Sequence, residues 1–176
     1  MLVESAQREV RTIFIGGFVG QLVSAALWAA SAGAAFSISL RAGILVLVIG
    51  GMFIFPLTQL GLRLAGRPAS LSSSNPLSEL AMEVAFLVPL LLPLAGAAAL
   101  YKREWFYPAC MVIVGAHYLP FSFLYGMRHF LILGGLMIAA GLAIALYSPG
   151  LATAGAFFTS FLLVVFAFVG RSLVTR

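Results

Sequence analysis

Aspartate is absent from this chain, cysteine occurs once, and only 9% of its 176 residues are charged. Without aspartate there are no paired aspartates for acid catalysis or two-metal chemistry. No glycine loop ending in lysine, no HExxH helix and no serine elbow is present either, which argues against phosphate-binding, metal-dependent and hydrolytic enzymes. The lone Cys110 rules out an intrachain disulfide, and with His117 and His129 as the only histidines it gives no cysteine–histidine metal cluster. No metal or cofactor is expected. A histidine–glutamate acid–base pair acting on a lipid-soluble substrate remains open.

What fills the space left by charge is hydrocarbon. Apolar residues make up 62% of the chain and the mean hydropathy is +1.12, beyond what a water-soluble domain carries. A bilayer core about 30 Å thick needs roughly 20 apolar residues per helical crossing. Six such runs are read, at 12–34, 40–62, 79–100, 105–125, 129–147 and 150–171. They are apolar on all sides and lack the alternation of a membrane barrel strand. The expected fold is therefore an all-α, polytopic membrane bundle of six helices forming a single domain, 1–176.

The net charge of +5 is distributed as a topology signal and not as a nucleic-acid surface. With the N-terminus in the cytoplasm, Arg8, Arg11, Arg63, Arg67, Arg128, Arg171 and Arg176 fall inside, and Arg41, Lys102 and Arg103 fall outside. Both termini are then cytoplasmic, in a cell inner membrane. A secretory signal is the rival reading of the first run, because "AASAGAA" offers small cleavage residues. That run is longer than a signal core, and its leader carries Glu4 and Glu9. An echo between "GMFIFPLTQL" from Gly51 and "GAHYLPFSFL" from Gly115 reads either as duplicated hairpins or as coincidence in a biased alphabet.

Polar residues inside the oily runs are the candidate site. At 100° per residue, His117, Tyr118, Ser122, Tyr125 and Arg128 share one half of the fourth run and are expected to face protein. Ala116, Leu119, Pro120, Phe123, Leu124 and Met127 share the other half and are expected to face lipid. Glu83 lies a turn beyond Glu79 on the same helix face, where a carboxylate must be paired, protonated or wet. Arg63, His117 and Arg128 are its candidate partners. Gln21, with Ser24 and Trp28 on its face, and Gln59 add amides at a similar depth. The expectation is one polar pocket in the cytoplasmic half, lined by His117, Glu83, Gln21, Gln59, Tyr118 and Tyr125. Against it stands interhelical glue: a neutral imidazole and amides bonded to neighbouring helices. Pro56, Pro89, Pro93 and Pro120 free backbone carbonyls and fit either a cavity or simple tolerance. In the third run Ser74 or Asn75 is positioned to cap the helix, with Pro76 in its first turn.

The segments "FIFPL", "NPLSEL" and "GAHYLPFSFLYGMRHF" resemble a family of small bacterial membrane proteins known as a domain of unknown function. Its pattern has a Phe-Pro motif, then Asn-Pro-Leu, then Gly-x-His-x-Leu-Pro. The resemblance spans roughly residues 50–130 and implies an inner-membrane helical bundle without implying an activity. It places Phe55, Pro56, Asn75, Pro76, Leu77, His117, Leu119, Pro120 and Tyr125 in the signature.

The leading functional expectation is a small-solute transporter or binding protein, with Glu83 and His117 open to proton linkage. A substrate-capture subunit of a larger transporter, a membrane enzyme for lipid-like substrates, and a structural or regulatory scaffold are the alternatives. Expected partners are membrane lipids and a small-molecule ligand. The small-residue runs fit packing within the chain or a homodimer.

Overall fold

A computed structural model describes residues 2–174, so the Arg176 assigned to the inner side lies outside the described residues. Every regular element among them is helical. Helix α1, Val3–Ile13, carries Ala6 and Val10 on a buried face and Glu4, Ser5, Arg8 and Thr12 on an exposed one. It is amphipathic where the spans are apolar all round, and it stands apart from them. The first span therefore does not start at residue 12 as a continuous helix. Ile15, Gly16 and Gly17 take φ of 51°, 63° and 84° in a short 3₁₀ turn, and α2, Phe18–Ser37, follows. For a β-branched isoleucine this left-handed conformation costs roughly 1–3 kcal/mol, so the surrounding packing must hold it.

Five helical stretches are long and apolar enough to cross a membrane: Ile15–Ser37, Ser78–Tyr101, Arg103–Leu124, His129–Tyr147 and Pro149–Val174. The second expected span is a bent pair, α3, Leu40–Gly51, and α4, Ile54–Leu64, meeting at 56°. Pro56 explains the break. It has no N–H for the Met52 carbonyl and its ring crowds that group, so the helix unwinds through Met52 and Phe53 and restarts at Ile54. The chain leaves α2 at Ser37 and comes back to α1 at Ser72, which makes the pair one return crossing and brings the total to six. By contrast, Pro89 and Pro93 are absorbed within an unbroken α5, Ser78–Tyr101.

After a 3₁₀ turn at Arg103–Trp105 come α6, Phe106–Tyr118, the four-residue α7, Phe121–Leu124, and α8, His129–Tyr147. A further turn at Pro149–Leu151 leads into α9, Ala152–Val174. Two pairings organise the bundle, α2 with α9 and α6 with α8, while α3 packs on α2 and α5 lies on the periphery against α6. Glycine permits the closest approaches. A methyl group built on Gly16 would come within 2.6 Å of the Gly170 carbonyl oxygen, and one on Gly134 within 2.6 Å of that of Gly115. These small residues pack within the chain.

A buried polar lock ties three helices together away from the basic end. The Ser31 hydroxyl on α2 donates to the Gly43 carbonyl on α3 at 2.8 Å and lies 2.7 Å from the Tyr107 hydroxyl on α6. Tyr107, wholly buried, reaches the Ser31 carbonyl at 3.2 Å and packs beside Trp28.

Candidate functional site

The fourth span breaks where its signature residues lie. Pro120 cannot donate to the Ala116 carbonyl; Leu119 bonds to it instead, at 3.1 Å, and α6 ends. One helical turn reforms as α7 before Gly126, at φ 63°, turns the chain toward α8. A single helical projection therefore fails beyond Tyr118. Leu124 and Met127, expected to face lipid, are buried, and Arg128, expected to face protein, is exposed.

The break folds its aromatic residues into a continuous cluster. Phe121 lies 4.8 Å from the His117 ring, 5.4 Å from Tyr118 and 5.3 Å from Tyr125, centroid to centroid. Phe130 of α8 stacks on Tyr118 at 6.0 Å and meets Tyr125 at 5.0 Å. These separations lie in the range favoured by aromatic pairs.

Helix α1 covers this cluster. Gln7 donates its amide to the Phe123 carbonyl at 2.5 Å and Arg11 donates to that of Tyr125 at 2.9 Å, satisfying acceptors left at the end of α7. The Phe14 ring sits 6.5 Å from Tyr125. On the other side of α1, Glu9 accepts from the Ser72 backbone N–H at 2.6 Å, the Ser72 hydroxyl at 3.0 Å and the Asn75 amide at 2.9 Å. Asn75 also donates to the Ala6 carbonyl and accepts from the Leu77 N–H. The signature asparagine thus pins the 65–77 loop to α1; it does not cap α5, which begins at Ser78 with Leu77 at its N-cap and no side-chain cap, so Pro76 precedes the helix. The Ser72 backbone N–H holds the Glu9 carboxyl below the ordinary glutamate value; partial burial opposes this, and the Asn75 and Ser72 side chains reinforce it.

Several polar atoms in this region are buried without a partner among the described residues. Gln21 is 2% exposed, yet neither its amide nitrogen nor its oxygen makes a hydrogen bond. His129 is 8% exposed and neither ring nitrogen is bonded. His117 Nδ1 and Thr58 Oγ1 are likewise unpartnered, although the His117 ring interacts with the Val84 backbone on α5. The Tyr118 and Tyr125 hydroxyls make no hydrogen bond with the described residues but are not among the fully buried, unsatisfied atoms. Gly17 lies between Gln21 and the aromatic cluster: a methyl group on it would lie 3.2 Å from Phe130 Cζ and 4.0 Å from Gln21 Cδ. His129 stands behind Phe130, its Nε2 3.2 Å from the Cβ position of Gly170. The left-handed turn at residues 15–17 is therefore flanked by buried, unsatisfied polar groups.

Of the six sequence-derived site residues, Tyr118 and Tyr125 pack on Phe130, His117 joins them at the α6 end, and Gln21 lies beside that ring's neighbour Gly17. Glu83 does not join them. It is exposed on α5, one position before the buried Val84 that faces α6, and forms no ion pair or hydrogen bond among the described residues. Neither Arg63 nor Arg128 pairs with it. Gln59 is half-buried on α4 and makes no side-chain hydrogen bond among the described residues. His129 was not among the expected site residues, because "MRHF" reads as a helix start at the interface. Its burial comes from Gly170 on the last helix, which no local pattern announces.

No curated protein and no solved structure matches the chain. Residues 3–171 match the model of a family described as a family of unknown function, DUF7010. The match extends well beyond the stretch that carried the resemblance in sequence, to both flanking regions, and the chain belongs to that family.

Proposed function

From that membership, which fixes no activity, we propose that the protein binds a small, uncharged, hydrogen-bonding solute around Phe130 and carries it across the membrane. Gln21 carries this reading. An amide buried with both polar atoms unbonded costs about 1–3 kcal/mol per unsatisfied group, and such groups call for water or a ligand to complete them. His129, His117 and the two tyrosine hydroxyls supply further donors and acceptors around the same ring. The Arg11 guanidinium is occupied by the Tyr125 carbonyl, that of Arg171 lies over the Phe18 ring, and Glu83 is exposed, so the chemistry favours a neutral solute over an ion. The strained turn at residues 15–17 gives α1 a hinge, and α1 lies over the cluster on the arginine-rich side. That side faces the cytoplasm of a bacterial inner membrane by the distribution of positive charge.

The test uses purified protein and proteoliposomes with a panel of uncharged polar solutes. Solute-dependent thermal stabilisation and uptake are expected from the parent protein. Gln21→Met, close in shape and apolar, is expected to abolish both while raising the melting temperature without solute. A Gln21→Met protein that melts lower and still transports would make the amide structural and end this reading.

A further inference from the structure

Away from the polar cluster, the bend in the second crossing opens an apolar cleft of about 540 Å³ on the membrane-facing side of the bundle. Val23, Ala26 and Leu27 of α2 form one wall, and Leu57, Leu60 and Leu64 of α4 form the other. The cleft is open outward: Phe53, Leu57, Leu60 and Leu64 are all exposed along it. Straight helices packed side by side would close this gap. The 56° turn at Met52–Phe53 reorients α4 so that it meets α2 at Gly61 against Val19 and at Gly20 against Thr58, and the cleft lies along the flank of that contact.

Its dimensions and its end chemistry identify the occupant. Helix α4 has 11 residues, so at 1.5 Å per residue the wall runs about 16 Å. That matches one leaflet of a hydrocarbon core of about 30 Å. At the terminus of the wall, Gly66 takes φ 71° and the Arg67 N–H returns to the Leu62 carbonyl at 2.9 Å, while the Gly66 N–H bonds that of Arg63. This left-handed helix stop folds Arg67 back to the level of the last turn, beside Arg63. Both arginines are exposed and neither forms an ion pair among the described residues. An acyl-length apolar cleft ending at two unpaired guanidinium groups is complementary to a phospholipid with an anionic headgroup: chain along α4, phosphate at Arg63 and Arg67.

We propose that the cleft between α2 and the bent α3–α4 pair is a binding site for one anionic phospholipid of the leaflet on the arginine-rich side. Guanidinium pairs with phosphate in planar, charge-assisted hydrogen bonds, so selectivity resides in the headgroup and seating in the cleft. This site is separate from the Phe130 cluster and stands or falls independently of solute transport.

Native mass spectrometry of the detergent-solubilised chain, titrated with phosphatidylglycerol and chain-matched phosphatidylcholine, tests it. One phosphatidylglycerol per chain is expected, retained roughly thirtyfold more tightly than phosphatidylcholine if each arginine contributes as basic residues do at anionic membranes. The double variant Arg63→Gln/Arg67→Gln should erase the headgroup preference and leave weak chain binding. Ala26→Trp, which fills the cleft from α2, should remove the one-to-one adduct. Should Ala26→Trp fail to fold, a phosphatidylglycerol with a photoactivatable acyl chain on the parent protein gives the same information. Crosslinks in residues 23–27 and 53–64 support the site. Equal retention of the two lipids by the parent protein, an unchanged adduct in folded Ala26→Trp, or crosslinks spread over α5 and α8 would overturn it.

Discussion

Gln21 and Tyr107 are both buried polar side chains in a membrane bundle, and they differ in what surrounds them. Tyr107 finds the Ser31 hydroxyl and carbonyl within reach, and the Ser31 hydroxyl in turn satisfies Gly43. Gln21 finds nothing. The first arrangement is structural, and removing it should weaken the fold. Tyr107→Phe is expected to lower unfolding stability in mixed micelles by about 1–2 kcal/mol, the net value of one or two hydrogen bonds. Gly43→Ala should cost at least as much, because the added methyl meets the Tyr107 hydroxyl and comes within 2.6 Å of Ala35 Cβ. No loss in either variant would show that the lock carries no stability. At this scale the sequence was legible in part. It identified Gln21, His117, Tyr118 and Tyr125 as out of place in hydrocarbon. It could not say which way Glu83 points, because α5 is apolar all round and gives no face to read, and it had no signal for Ser31, Tyr107 or His129, whose partners come from distant helices.

Helices announced themselves better than their interruptions. All six expected spans lie within a residue or a few of observed helical stretches, since uncharged runs of that length admit little else. The breaks at residues 15–17, 52–53 and 119–120 were less visible. Two follow from proline four residues beyond a carbonyl, at Pro56 and Pro120, whereas Pro89 and Pro93 leave α5 continuous; a proline in sequence does not by itself fix a bend. The amphipathic α1 merged with the first span because Ile13, Phe14 and Ile15 bridge the two. Its latch has a titratable part. Hydrogen bonding, chiefly from the Ser72 backbone N–H and against the opposing effect of burial, leaves the folded-state carboxyl of Glu9 below its unfolded value. The latch therefore contributes in full above the ordinary glutamate value and is lost as pH falls through the depressed folded one. Hydrogen exchange of residues 3–13 should stay slow from neutral pH down to mild acid and accelerate below that. Glu9→Gln should show faster exchange at neutral pH and no acid step. An acid step that survives Glu9→Gln would assign it to another group.

For the whole molecule, the arrangement of charge makes a prediction about orientation. Arg8, Arg11, Arg63, Arg67 and Arg128 lie on elements that meet at the α1 end, while Arg41, Lys102 and Arg103 lie at the other. With Cys110 replaced by alanine, a membrane-impermeant maleimide should label Ser37→Cys in intact cells and Ser73→Cys only after permeabilisation. The reverse pattern would invert the bundle and place the lipid cleft in the opposite leaflet.

The Gly16–Gly170 contact sets an order on biogenesis. Helices α2 and α9 are mutual partners, so α2 enters the bilayer with one flank unmatched and keeps it so until α9 has been synthesised and inserted. During that interval Gln21 and the left-handed turn beside it face acyl chains or an insertase. A nascent chain arrested before α9 would consequently present quality-control proteases with a polar defect on α2.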